Sequence, residues 1–102
     1  MLAAVEARLD RGEHPYILDV RNPEEWQIAR LNGAHLIPLN ELSQRYAELD
    51  RDQEIILHCK SGKRSQKALE FLRDQAGFRH LKNLVGGIDA WAVDVDPNVP
   101  RY

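Results

Sequence analysis

The chain has 102 residues, one cysteine, and 14 basic against 16 acidic side chains, which give a formal net charge of −2. This length predicts one domain with one core, the single cysteine excludes a disulfide within the chain, and the charge balance argues against nucleic acid, which normally selects a broadly basic face. No apolar stretch approaches the roughly 20 residues that span a bilayer, so we expect a soluble protein without membrane contact, and the lack of disulfides favours the cytoplasm.

The chain begins with a helical pattern, a strand pattern and a second helical pattern. Residues 2–10 carry apolar side chains on one helical face, and residues 16–20 are an apolar run typical of a buried strand. The segment 22–25, Asn-Pro-Glu-Glu, combines an N-cap residue, a proline at the first helical position and acids in the first turn. It predicts a helix that extends to about Arg30.

The middle of the chain repeats this alternation. After a turn at residues 32–33, residues 34–39 have the pattern of a short strand and residues 41–49 that of a helix. The apolar run 54–58 predicts a further strand, which ends at Cys59.

The last part of the chain contains four predicted elements and a tail: a helix over 65–76, a strand over 80–85, a bend at 86–87, a short helix over 88–92, and an extended segment from residue 96. Trp91 in the short helix is expected to anchor the core. Strands separated by helices imply right-handed crossovers and a parallel sheet covered on both faces, that is, an α/β fold. Ligands of such sheets bind at the carboxyl ends of the strands, where Cys59 lies.

Cys59 stands between a strand pattern and a helix start. A helix N-terminus offers unpaired N–H groups and the positive end of the helix dipole, and both favour the nucleophilic thiolate. Gly62 allows backbone angles that point successive amides at one centre. Four cations lie nearby: Lys60, Lys63, Arg64 and Lys67. Positive charge at a helix N-terminus opposes the helix dipole and does not favour folding, so these cations predict a binding site for a small anion or an acidic peptide tail. These features predict a reactive cysteine, and the alternative of an inert core cysteine stays open.

Four segments of the chain, in this order, resemble the rhodanese family of persulfide-forming sulfurtransferases: Leu18-Asp19-Val20-Arg21 with Pro23-Glu24-Glu25, then Asn32 to Pro38, then Cys59-Lys60-Ser61-Gly62-Lys63-Arg64-Ser65, and then Leu84 to Trp91. The resemblance implies a rhodanese-like three-layer α/β/α fold with a central, mostly parallel sheet over residues 1–102. Family members usually begin with one more short strand. We therefore expect this domain to be excised from the C-terminus of a longer protein.

The resemblance also implies the chemistry of the site. Cys59 takes sulfur from a small sulfur-containing anion or a persulfide donor, forms a persulfide, and passes the sulfur to a thiophilic acceptor. The binding loop consists of Lys60, Ser61, Gly62, Lys63, Arg64 and Ser65, whose amides point at the sulfur and whose cations steer anions. Asp19 and Arg21 support the loop from the neighbouring strand, or form a strand-end ion pair with little consequence. No cofactor is expected, and the spacing of the four histidines argues against a metal site.

The C-terminal segment 91–102 has a narrower resemblance, to rhodanese domains fused behind adenylyltransferases of the molybdopterin and thiamin biosynthesis type. That resemblance implies an adenylyltransferase domain in the same chain and a ubiquitin-like sulfur carrier protein, with an adenylated C-terminus, as partner.

Three alternatives remain beside the sulfurtransferase. A cysteine phosphatase or arsenate reductase normally has its arginine six positions after the cysteine, whereas Arg64 follows Cys59 by five, which predicts a smaller loop. A thiol protease or acyltransferase needs a base, and His58, the adjacent strand residue, points to the opposite face. The third alternative is a non-catalytic rhodanese-fold module that binds a partner protein.

Overall fold

The computed structural model describes residues 7–8, 11–13, 16–31, 33–84 and 87–94. Its four strands form one sheet in which all pairings are parallel, in the order β2-β1-β3-β4. The strands are β1 (Tyr16–Asp19), β2 (His35–Leu36), β3 (Ile55–His58) and β4 (Leu81–Asn83). The predicted α/β fold with a parallel sheet is thereby confirmed, and β3, which leads to Cys59, lies inside the sheet.

The helices follow the strands in the expected alternation. They are α1 (Pro23–Ile28), α2 (Leu42–Arg45) with short 3₁₀ turns at Leu39–Glu41 and Tyr46–Glu48, α3 (Lys63–Gln75) and α4 (Gly87–Asp94). α1 begins at the predicted proline, and the Glu25 carboxylate accepts a hydrogen bond from the backbone N–H of Asn22 at 3.1 Å. This hydrogen bond, together with the proline at the first helical position, explains why so short a helix forms here.

Apolar side chains cover both faces of the sheet. One face packs against α2 and α3 through a cluster that includes Leu18, Leu57, Leu42 and Leu72. The other face packs against α4 through Ile17, Ile56, Ile88 and Trp91, which confirms Trp91 as a core residue. Successive strand residues thus enter opposite layers, as a sheet covered on both sides requires.

Several sequence-based boundaries were wrong. Within the described residues the strand predicted over 80–85 is Leu81–Asn83 and the helix predicted over 88–92 is Gly87–Asp94. Three further differences have a local physical reason. The strand predicted over 34–39 is only His35–Leu36, because Pro38 has no N–H to donate, although the N–H groups of Ile37 and Leu39 still bond to Asp19 and Val20. The helix predicted over 41–49 splits into an α-helical centre with 3₁₀ turns. In the second of these turns Leu49 N–H donates to Tyr46 O, a tightening common at helix ends.

The third correction concerns the helix after Cys59, which starts at Lys63 and not at Ser65. Gly62 precedes it with a φ of 102°, a left-handed conformation that favours glycine, and this turn starts the helix two residues early. Lys63, Arg64 and Ser65 therefore form its first turn.

Several predictions lie outside the described residues. Of the helix predicted over 2–10, only residues 7 and 8 are described, and both are helical. Asn32, Val85, Gly86 and the tail from residue 96 fall among the rest. Within the part of the chain that is described, no helix has the length and apolar character needed to cross a bilayer.

Candidate active site

Cys59 lies at the carboxyl end of β3, in the loop that leads to α3. Its side chain is 1% exposed, so bulk water is largely excluded from the sulfur. The loop is short because Gly62 turns the chain directly into α3. The thiol therefore faces the N-terminal end of a 13-residue helix, as the sequence predicted.

Hydrogen-bond donors from the loop and from the first turn of α3 converge on Cys59 Sγ. The backbone N–H of Gly62 donates to Sγ at 3.1 Å, and the hydroxyl of Ser65 lies 3.5 Å from it. Burial by itself raises the pKa of Cys59. The hydrogen bonds from the Ser65 hydroxyl and from the N–H groups of Ser65, Gly62 and Ser61 together outweigh burial, so the pKa lies below the usual value of a thiol.

The carbonyl groups of the same loop point away from the sulfur, into the N-terminus of α4. Ile88 N–H donates to Cys59 O at 3.0 Å, and Asp89 N–H donates to Lys60 O at 3.1 Å. Gly87 stands against these carbonyls with a φ of 56°, and a Cβ there would lie 2.2 Å from Cys59 O. The first turn of α4 thus turns the loop peptides so that their N–H groups face Sγ.

Two of the four predicted loop cations are engaged within the protein. Arg64 forms a two-pronged ion pair with Glu25 of α1, at 2.5 Å for Nη1–Oε1 and 2.8 Å for Nη2–Oε2. Lys60 Nζ lies 3.9 Å from Asp89 Oδ2 of α4. Lys63 and Lys67 are exposed, and neither makes an ion pair within the described residues. The charge that faces outward beside the loop is therefore that of the two lysines.

Asp19 and Arg21 form a fully buried pair at the end of β1. Arg21 Nη2 lies 2.6 Å from Asp19 Oδ2 and also donates to Ala29 O at 2.6 Å, just beyond the end of α1. The pair thereby fixes α1 to the sheet, and α1 carries the Glu25 that holds Arg64. Removing one partner of a buried pair leaves an uncompensated buried charge, so it destabilises the fold more than removing one partner of a surface ion pair.

His58 precedes Cys59 but does not contact its sulfur. The ring is fully buried, with Nδ1 3.3 Å from Cys59 O and Nε2 3.6 Å from Asp19 Oδ2. Burial is the main effect on its pKa, which lies below the usual histidine value, so the ring is neutral at neutral pH. This geometry agrees with the prediction that His58 is poorly placed as a base for the thiol.

Sequence reasoning missed four residues that shape this site: Glu25, Asn83, Gly87 and Asp89. Each acts through a contact with a loop residue that lies far away along the chain. Glu25, Gly87 and Asp89 lie in segments that carry the family resemblance, but Glu25 was interpreted only as part of a helix start and Gly86-Gly87 only as a bend, and Asn83 had no sequence signal. Among the described residues, no three His, Cys, Asp or Glu side chains form a group that could hold a metal ion.

Comparison with known proteins connects this geometry to a family. A family model described as Rhodanese-like domain matches residues 1–94. The chain is 40% identical over 96 residues to the probable adenylyltransferase/sulfurtransferase MoeZ of Mycobacterium tuberculosis (strain CDC 1551 / Oshkosh), which covers 92% of this chain and 24% of that protein. It is 36% identical over 100 residues to adenylyltransferase and sulfurtransferase MOCS3-2 of Zea mays, which covers 91% of this chain and 20% of that protein. The chain therefore corresponds to a quarter or less of these relatives.

Solved structures agree with this match. The crystal structure of a rhodanese-like domain protein from Staphylococcus aureus has a TM-score of 0.83 with this chain at 25% sequence identity, over 99% of this chain and 94% of that one. The relatives are named as sulfurtransferases, and the three-layer α/β/α fold is the one that the sequence resemblance implied. The chain belongs to the family of rhodanese-like domains.

Proposed function

We propose that Cys59 is the nucleophile of a sulfurtransferase and carries one sulfur atom as a persulfide. The thiolate attacks the outer sulfur of thiosulfate, the S–S bond of the donor breaks, and sulfite leaves with the bonding electron pair. Cys59 then bears a terminal sulfur anion. A nucleophilic acceptor takes that sulfur, and Cys59 leaves as the thiolate from which the cycle began.

The convergence of donors on Cys59 Sγ is the observation that supports this proposal most. The N–H groups of Ser61, Gly62 and Ser65 and the hydroxyl of Ser65 favour negative charge at a sulfur from which bulk water is largely excluded. Such fixed donors stabilise an anion without reorganising during the reaction. They suit a thiolate on Sγ before transfer. After transfer the negative charge is on the terminal sulfur of the persulfide, one atom outward from Sγ, and the same donors suit it.

Arg64 also supports a sulfurtransferase over a phosphatase or arsenate reductase. An oxyanion-binding loop needs its arginine directed at the loop centre, where the planar guanidinium binds two oxygens. Both terminal nitrogens of Arg64 bond to Glu25 instead. We therefore expect no hydrolysis of an aryl phosphate.

The physiological acceptor is proposed to be the adenylated C-terminus of a ubiquitin-like sulfur carrier. Because this acceptor is an electrophile, here the terminal sulfur of the Cys59 persulfide attacks the acyl carbon, AMP leaves, and the two proteins are joined by an acyl disulfide. An external thiol reductant then cleaves the S–S bond, so that the carrier leaves as a thiocarboxylate and Cys59 forms a disulfide with that thiol, which a second thiol reduces. Support for this acceptor comes from the relatives, MoeZ and MOCS3-2, whose names join adenylyltransferase with sulfurtransferase. In such an arrangement an adenylyltransferase domain activates the carrier and this domain supplies the sulfur. A cytoplasmic location of the protein would fit this role.

One experiment in two stages tests both proposals. The protein is incubated with thiosulfate, and its electrospray mass is expected to rise by one sulfur atom, which a dithiol then removes. The loaded protein is next offered an adenylated ubiquitin-like carrier, where release of AMP and a disulfide-linked adduct of the two proteins are the expected result, and, separately, a simple dithiol. Absence of the mass gain would refute the sulfurtransferase and favour the partner-binding module. Transfer to the dithiol but not to the carrier would refute the carrier alone.

Lys63 and Lys67 are proposed to attract the anionic donor and the acceptor. They lie one turn apart on α3 and line a groove of about 600 Å³ beside the loop, together with Ser61, Gly62 and one carboxylate, Glu70, so that cations outnumber anions in the lining by two to one. Like charges four residues apart, at the positive end of a helix dipole, do not favour folding. Their position next to the sulfur-binding loop supports a role in attracting anions and not in stabilising the fold.

A salt series tests this attraction. Lys63→Gln with Lys67→Gln is expected to slow sulfur uptake from thiosulfate about tenfold at low salt, because a cluster of like charge raises the local concentration of an anion. The difference should disappear near 1 M salt, where charges are screened within about 3 Å. The matched control, Arg73→Gln with Lys82→Gln, removes two cations that pair with Asp74 and Glu54. Equal slowing in the control would show that net charge and not this groove matters.

A further inference from the structure

A chain of hydrogen bonds joins β4 to the sulfur through two side chains, Asn83 and Ser65. Ser65 Oγ lies 2.5 Å from Asn83 Oδ1, 3.1 Å from Gly62 O and 3.5 Å from Cys59 Sγ. Asn83 Nδ2 lies 3.2 Å from Gly62 O and 3.2 Å from Gln66 Oε1. Ser65 is fully buried and Asn83 is half-buried, so the contacts of Ser65 are largely shielded from water, whereas the contact of Asn83 with Gln66 is exposed.

The orientation of the Asn83 amide follows from the atom it meets in the loop. Gly62 O is a backbone carbonyl and accepts hydrogen bonds only, so the amide must turn its NH₂ group toward it. The carbonyl Oδ1 therefore faces Ser65. Since Oδ1 has no proton, Ser65 is the donor in the 2.5 Å contact.

Ser65 has one hydroxyl proton and more acceptors than it can serve. Asn83 Oδ1 is the nearest of them, and Cys59 Sγ is the farthest. A neutral thiol is a weak acceptor, whereas an ionised group accepts a hydrogen bond about twice as strong as a neutral one. The better acceptor therefore changes from Asn83 to Sγ when the sulfur becomes negative.

We propose that Asn83 is a positioning residue that competes with Cys59 for the hydroxyl proton of Ser65. Ser65 donates to Asn83 while Cys59 is a thiol, and it turns its proton to the sulfur when the sulfur is an anion. No bond other than the hydrogen bond changes, and the hydroxyl keeps its proton. The role in transfer rests on the proposed function, while the competition itself concerns any negative charge on Sγ.

If Asn83 competes for the proton, removing it changes the pKa of Cys59 in the opposite direction from the change expected if Asn83 only supports the loop. Forming the thiolate breaks the hydrogen bond between Ser65 and Asn83, and this opposes ionisation. Removing the amide oxygen leaves Gly62 O, at 3.1 Å, as the remaining competitor for the Ser65 proton, and its longer hydrogen bond opposes ionisation less. Asn83→Leu is therefore expected to lower the pKa of Cys59, by about 0.4 to 1 unit for one hydrogen bond of ordinary net strength.

A double-mutant cycle tests the proposal through Ser65. The pKa of Cys59 is measured in the native protein, Asn83→Leu, Ser65→Ala and the double variant, from the β-carbon NMR resonance of the labelled cysteine. Cys59 is the only cysteine, so the signal is unambiguous. We expect Asn83→Leu to lower the pKa when Ser65 is present and to leave it unchanged when Ser65 is replaced by Ala.

The charged and titratable groups around the loop are the same in all four proteins. They are the Lys60–Asp89 and Arg64–Glu25 pairs, the outward lysines of α3, and His58 with Asp19 and Arg21. Their effects on the pKa cancel in the cycle. A raised pKa in Asn83→Leu, or an equal shift in both backgrounds, would overturn the competition and assign Asn83 to support of the loop.

A second substitution and a separate readout complete the test. Asn83→Ala removes the same acceptor, is expected to shift the pKa in the same direction, and replaces Asn83→Leu if that variant does not fold. The mass gain with thiosulfate is measured on the same samples. Persulfide formation without the predicted pKa cycle refutes the role of Asn83 alone, whereas the cycle without a mass gain refutes the sulfurtransferase.

Discussion

Replacing Cys59 by serine is expected to abolish sulfur transfer from thiosulfate to cyanide while the fold persists. The serine hydroxyl is almost fully protonated at neutral pH and is a poor nucleophile, so loss of the nucleophile should lower turnover by more than about a thousandfold. The hydroxyl is also nearly isosteric with the thiol and keeps Gly62 N–H and Ser65 as partners. We therefore expect the free energy of unfolding to change by no more than about 1 kcal/mol.

Two measurements check this expectation. Thiocyanate formation reports turnover, and urea unfolding reports stability. Turnover above a few per cent of native would contradict the assignment of Cys59 as the nucleophile. A large loss of stability with little loss of turnover would instead support the alternative in which Cys59 is only a core residue.

Gly87→Ala is expected to damage both the site and the fold. A Cβ at residue 87 would lie 2.2 Å from Cys59 O and 2.6 Å from Lys60 O, distances that the loop cannot accept without moving. Movement would break the hydrogen bonds that Ile88 and Asp89 donate to these carbonyls and turn the loop N–H groups away from Sγ. We expect turnover to fall about a hundredfold, as for a misplaced reacting group, and unfolding free energy to fall by about 2 to 4 kcal/mol.

Gly77→Ala is the matched control. Gly77 also has a positive φ, 77°, but a Cβ there would have no atom within 4 Å. The control therefore carries the backbone strain without the clash and should lose about 1 to 2 kcal/mol of stability while folded molecules keep native turnover. Turnover per folded molecule in Gly87→Ala, obtained from urea curves of the same samples, separates the two effects. If that turnover equals the native value, α4 does not orient the loop.

Local patterns account for what could be predicted of the fold. β1 and β3 are short apolar runs because both of their faces are buried, and such runs are visible without knowing their neighbours. Asn22, Pro23 and Glu25 start α1 through contacts within four residues. The boundaries that were wrong, at residues 34–39, 41–49 and 65, depend on strand pairing, 3₁₀ turns and the conformation of Gly62, for which local propensity is a weak guide.

The thiol and the hydrogen-bond donors around it were also predictable from local sequence. Cys59, Ser61, Gly62 and Ser65 lie within seven consecutive residues, and the donors to the sulfur are mainly backbone groups. A strand that ends at a cysteine and turns through a glycine into a helix brings those groups together whatever surrounds it. The sequence therefore determined an α/β domain with a thiol whose chemistry favours the anion.

Only the tertiary structure decided which side chains surround that thiol. Arg64 pairs with Glu25, Ser65 meets Asn83, and the Cys59 and Lys60 carbonyls meet the N-terminus of α4, all across 18 or more positions of sequence. The four cations are grouped by their proximity in the sequence. In the fold, Lys60 pairs with Asp89 and Arg64 pairs with Glu25, whereas Lys63 and Lys67 face outward. The reason is geometric: the strand order β2-β1-β3-β4 determines which loop and helix ends meet at the carboxyl edge of the sheet, and no local propensity encodes that order.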